Sequence, residues 1–201
     1  MPNILALVGP LLSCYFLLRI FRPAGASECV LVFFSLLTAH VVTLGYMLSF
    51  MDRLGDITLW SILGIGAALI SAAAVVWNGN SRQSVLPRFR SLYPTHVVGS
   101  IKNWYMLELS RFERLLLTPL ILTCLLLGLL NLMVIIRTAP GNFDSMGYHL
   151  ARVAYYLQHG NLSYFYANYW AQVVHPKNSS ILLLYACLVS GRTELGCRLL
   201  V

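Results

Sequence analysis

Apolar residues fall in long unbroken runs along this chain, and polar residues collect between them. Crossing about 30 Å of hydrocarbon takes about 20 apolar residues of helix. Ile4 to Ile20, Cys29 to Met51, Ile57 to Trp77 and Leu115 to Ile136 meet that length. The first is on the short side, and Arg19 can snorkel from its end. It lacks a basic leader and a small-residue cleavage site, so it reads as a span and not a signal peptide. In the third run Gly64, Gly66, Ala67, Ala68 and Ala72 to Ala74 are small enough for close helix approach. Pro119 near the start of the fourth run is tolerable where a first helical turn needs no internal donor. The last apolar run, Ile181 to Val189, is too short to cross alone. It reads as a re-entrant segment or as the start of a further membrane segment within 181–201. The apolar ending Cys197-Arg-Leu-Leu-Val suggests the N-terminal part of a longer polytopic protein.

The pattern therefore predicts an all-α, polytopic transmembrane helix bundle with amphipathic helices on its surface. Four spans occupy 1–136, a basic loop lies at 78–114, and a second large loop lies at 137–180. Composition strengthens the reading: 58% hydrophobic and 10% charged, against about 25% charged in soluble domains. A net charge of +7 would suggest nucleic acid in a soluble protein. Here the basic residues lie between apolar runs and set orientation, and no nucleic-acid partner is expected. Arg19, Arg22, Arg82, Arg88, Arg90, Lys102, Arg111 and Arg114 fall on one side of the four spans. Arg53, Arg137, Arg152 and Lys177 fall on the other. The richer side is cytoplasmic by the positive-inside rule, which puts the N-terminus and 137–180 outside.

Within 78–114, Ile101, Trp104, Tyr105 and Phe112 recur at helical spacing, as in a helix lying in the headgroup layer. The cysteines form no C-x-x-C pair and read as small core residues. His40 sits in an apolar helix with no acid within one turn, which favours a neutral packing role.

The outer loop carries the candidate chemistry. Ala139-Pro-Gly ends the fourth helix, Asp144 or Asn142 can cap a new one, and Gly160 can close it. Met146, Leu150, Val153, Ala154 and Leu157 form its apolar face. Asp144, Tyr148 and Arg152 share another face at i, i+4, i+8, with His149 beside them. Asp144 is the only acid between Glu113 and Glu194. It reads either as an ordinary N-cap or as the carboxylate of an outward-facing site. Farther on, Tyr164, Tyr166, Tyr169 and Trp170 alternate with Asn168, Gln172 and His175. This is the composition of an interfacial aromatic belt, or of a sugar-binding surface. Asn161-Leu-Ser and Asn178-Ser-Ser match the glycosylation acceptor pattern.

The string Asp144-Ser-Met-Gly-Tyr148-His149-Leu-Ala-Arg152-Val resembles the first outer loop of multispanning, lipid-phosphosugar-dependent glycosyltransferases of the GT-C type. Leu157-Gln-His-Gly160, Gln172 and His175-Pro176 extend the likeness. These enzymes are related to dolichyl-phosphate-mannose–protein mannosyltransferases and to the bacterial aminoarabinose transferase. The likeness covers roughly Pro140 to Arg192 and departs from the family at Gly147 and Ala151, where Thr and Pro are common.

The resemblance implies transfer of a sugar from a polyprenyl- or dolichyl-phosphate donor to an acceptor on the outer side. Asp144 would be the catalytic carboxylate, as general base or as an acceptor- or metal-orienting group. A divalent metal ion is thus a candidate cofactor with no ligand set assigned. Tyr148, His149, Arg152, Gln172 and His175 would bind substrate, with Arg152 on the donor phosphate. The family's later helices, which complete the donor pocket, lie outside these 201 residues. The alternative is a non-catalytic subunit packing against other membrane subunits.

Overall fold

A computed structural model describes residues 3–23, 25–77, 105–106, 109–138 and 145–191. Among them helix is the only regular secondary structure, and four helices are long and apolar enough to cross a membrane. These are α1 (Ile4–Phe21), α2 (Ala26–Phe50), α3 (Ile57–Trp77) and α4 (Arg111–Arg137). Shorter elements follow: a π-helical turn (Ser145–His149), α5 (Leu150–His159), α6 (Ala171–Val174) and α7 (Asn178–Val189). Length and apolarity make this a helical membrane protein.

The tightest pairing is α1 on α3. A Cβ placed on Gly9 would lie 2.3 Å from the Gly64 carbonyl carbon, so the two backbones touch. One turn on, the Ser13 and Ser71 hydroxyls meet at 3.0 Å in a buried contact. Ser71 gives its hydrogen to Ala67 O, so Ser13 is the donor between helices. The contact face of α3 is Trp60, Gly64, Ala68, Ser71 and Val75. Of the small residues that suggested close approach, Gly64 and Ala68 lie on it, while Gly66 faces open space. A helical period brings only every third or fourth residue onto one line.

Proline shapes two spans. Pro10 sits inside α1 and supplies no N–H to the Ala6 carbonyl four residues back. The Tyr185 hydroxyl on α7 donates to that carbonyl at 2.8 Å. A helix defect is thereby turned into a tertiary hydrogen bond. In α4 the expected start at Leu115 moves back to Arg111. Ser110 and Glu113 form a reciprocal capping box there, so Pro119 falls in the helix interior and not in its first turn. The Thr118 hydroxyl donates to Arg114 O beside the proline. Almost every side chain of α4 is exposed, and no other described helix packs along it.

The hydrophobic core gathers at one end of the bundle. Val41, Leu44 and Leu48 of α2 and Trp60 of α3 meet Val153 and Tyr156 of α5 and Ile181, Leu184 and Leu188 of α7. The α2–α3 turn is stitched to the segment after α5: Leu54 N–H donates to Gly160 O (2.7 Å), and Leu162 N–H to the Ser49 hydroxyl (2.8 Å). The α2–α3 turn and the 150–162 segment therefore lie at the same end, the relation that alternating spans require. At twelve residues, α7 is about 18 Å long. It starts beside Tyr46 and ends where Asn3 donates to Leu188 O and Val189 O. Both contacts lie at that same end, so α7 lies across the bundle there. Half of the expected helix around 101–112 lies outside the described residues, and Phe112 belongs to α4, which Ser110 caps.

Candidate functional site

The segment Ser145–Lys177 folds over the core end of the bundle and gathers most of the expected site. Asp144 lies outside the described residues. The π-helical turn presents Tyr148 and His149, whose rings are 4.1 Å apart. The turn before α7 presents His175. The Tyr148 and His175 rings stack at 5.0 Å and 23°, and Trp170 stacks on His175 at 5.8 Å and 28°. Gln172 on α6 donates its side-chain amide to Gly147 O at 2.5 Å, tying the two segments together. Tyr148, His149, Gln172 and His175 thus form one cluster. Tyr148 and His149 are half-buried, and His175 is exposed.

Arg152 sits elsewhere than its sequence pattern suggests. The i, i+4, i+8 face pointed to an accessible cation, yet the side chain is fully buried, with 0% exposure. Its guanidinium donates to the Tyr156 hydroxyl from Nε (3.3 Å) and Nη2 (3.1 Å). It also donates to His175 O (2.9 Å) and Pro176 O (3.3 Å). A buried charge must be hydrogen-bonded, and here neutral acceptors do the work. Arg152 therefore fixes the main chain that carries His175 and is not open to a phosphate. The buried face of α5 is Arg152, Val153 and Tyr156, while Ala154, expected on the apolar face, is exposed. Gly160 closes α5 with a positive φ of 72°.

Burial pushes the Tyr156 hydroxyl above the ordinary tyrosine range, with Arg152 partly opposing it. Burial first, and then the charge of Arg152, holds the Lys177 amine below the ordinary lysine range. Lys177 donates to Leu162 O at 2.5 Å and lies 4.0 Å over the Tyr164 ring. Trp170 and Tyr156 were not singled out as site residues by sequence. The i, i+4 spacing of Arg152 and Tyr156 was a usable signal. The carbonyls of His175 and Pro176 leave no mark in a residue string.

Chemically, the cluster offers flat aromatic faces, two imidazoles and an amide. Aromatic rings with adjacent hydrogen-bonding groups suit a ligand that is part apolar face and part hydroxyl. Among the described residues no group of three or more His, Cys, Asp or Glu gathers to hold a metal. Of the two glycosylation patterns, Asn161 already donates to Asp52 Oδ1 at 2.6 Å, and Ser180 of the other is buried in α7. The chain matches no protein-family model, no curated protein and no solved structure.

Proposed function

We propose that this chain is a membrane glycosyltransferase, or its N-terminal part, of the GT-C type. It would move a sugar from a polyprenyl- or dolichyl-phosphate donor to an acceptor on the extracytoplasmic side. The observation that carries the reading is that Tyr148 packs on both His149 and His175, while Gln172 ties the same turn through Gly147 O, a few residues after Asp144 in sequence. The resemblance names those residues, and they come from two segments of the outer loop. In the reaction, Asp144 takes the proton of the acceptor hydroxyl. The acceptor oxygen bonds to the anomeric carbon as the bond from that carbon to the phosphate oxygen breaks. The lipid phosphate leaves carrying the electron pair. Tyr148, His149, Gln172 and His175 hold the sugar or acceptor. Arg152 acts as a positioning residue beneath His175.

The test is Asp144→Asn in a full-length context. Polyprenyl-phosphate mannose, glucose and aminoarabinose serve as donors, with folding checked by size exclusion. Transfer should fall by roughly 10²- to 10⁴-fold. Unchanged transfer by a folded variant removes Asp144 from the mechanism. A cysteine placed at exposed Ser163 should react with an impermeant reagent only from outside. One observation favours the second reading, a non-catalytic subunit: the bare apolar surface of α4 suits packing against further membrane helices.

A further inference from the structure

Away from the aromatic cluster, a shallow, open depression of about 510 Å³ lies between the α2–α3 turn and the end of α5. Its walls carry both signs of charge. Asp52 and Asp56 supply carboxylates, Arg53 a guanidinium, and Ile57 and Leu157 an apolar floor. The carboxylates are held in place and only partly consumed. Asp52 Oδ1 accepts from Asn161 Nδ2 (2.6 Å), and Asp56 Oδ1 accepts from the Thr58 and Leu59 amides. The second oxygen of each has no partner among the described residues. The Leu157 carbonyl faces the same gap, 3.7 Å from where a Cβ on Gly55 would sit. It is one of the last carbonyls of α5, where the helix dipole is negative. The Arg53 guanidinium, flanked in sequence by two acids, makes no hydrogen bond or ion pair among the described residues.

We propose that this depression binds the headgroup of an ethanolamine phospholipid. The phosphate meets Arg53, and the ammonium meets Asp52, Asp56 and the Leu157 carbonyl. Three facts favour that occupant. The site joins the ends of two spans, so it lies at headgroup depth. Its charges are mixed, which disfavours a purely anionic or purely cationic ligand. Its floor is apolar, which suits the glycerol end of a lipid. A primary ammonium has three donors for the acceptors present; a choline headgroup has none. The inference does not rest on the glycosyl-transfer reading.

The test reconstitutes the full chain in vesicles of phosphatidylcholine with equal parts phosphatidylethanolamine or phosphatidylglycerol. Lipid retained after mild detergent extraction is then counted by native mass spectrometry. Phosphatidylethanolamine should be enriched over phosphatidylcholine by roughly tenfold. Arg53→Gln touches no described partner and should abolish the enrichment. Asp52→Asn keeps an oxygen for Asn161 and should do the same. No enrichment in the unaltered chain overturns the proposal, as does enrichment that survives both variants. Phosphatidylglycerol retained as strongly as phosphatidylethanolamine overturns the ammonium half. Soluble phosphoethanolamine that displaces the lipid at equal concentration overturns a lipid source.

Discussion

Replacing Arg152 with Ala should release the layer that covers the core end of the bundle. The side chain makes four hydrogen bonds, two to the Tyr156 hydroxyl and one each to His175 O and Pro176 O. Hydrogen bonds to a charged group contribute about 1.5–3 kcal/mol each. Against them stands the cost of burying an ion, several kcal/mol after relaxation. The two oppose each other, so the effect of a substitution follows from what is left behind. Ala leaves a cavity beside Val153 and an unpartnered Tyr156 hydroxyl in the core, for a loss of about 3–5 kcal/mol. Arg152→Met fills the space and removes the buried charge. The carbonyls of exposed His175 and Pro176 can then turn to water, but the Tyr156 hydroxyl still loses its donor, so the cost is about 1–3 kcal/mol. Native-state hydrogen exchange of the α5 amides in nanodiscs reads the local opening free energy. The His175 imidazole signals report whether its stack on Tyr148 survives. A loss under about 1 kcal/mol in Arg152→Ala, with His175 unshifted, would refute the clamp.

Gly9→Ala forces α1 and α3 apart where their backbones touch, and should cost about 1–3 kcal/mol. Crosslinking between cysteines introduced at Ser13 and Ser71 should fall with it. Tyr185→Phe leaves the Ala6 carbonyl beside Pro10 without its donor. A loss of about 1–3 kcal/mol in detergent unfolding is expected, and Tyr185→Phe in a Pro10→Ala background should cost less. Because the Lys177 pKa is lowered on folding, the fold is penalised while the amine is charged in both states. Stability should rise as pH climbs from the lowered value toward the ordinary 10.5. Tyr156, whose pKa is raised, works the other way above its ordinary 10.0, where unfolding frees the phenol to ionise. Lys177→Met should remove the rise, and unfolding titrations from pH 7 to 10.5 check both signs.

Hydropathy alone located the membrane helices to within a few residues, because lipid demands long apolar helices whatever they pack against. It erred at α4, where Ser110 and Glu113 lie outside the apolar run and still start the helix. A family resemblance, not hydropathy, named Tyr148, His149, Gln172 and His175. That they touch was decided by the chain folding back over the bundle. Only the tertiary structure decided that Arg152 is buried. Besides the Tyr156 hydroxyl one turn on, its acceptors are main-chain carbonyls more than twenty positions away, and a carbonyl has no residue type to read. The same holds for the Ala6 carbonyl freed by Pro10 and taken up by Tyr185. Periodicity reports which side chains avoid water. It does not report which backbone groups remain to be satisfied, and at this end of the bundle those groups set the arrangement.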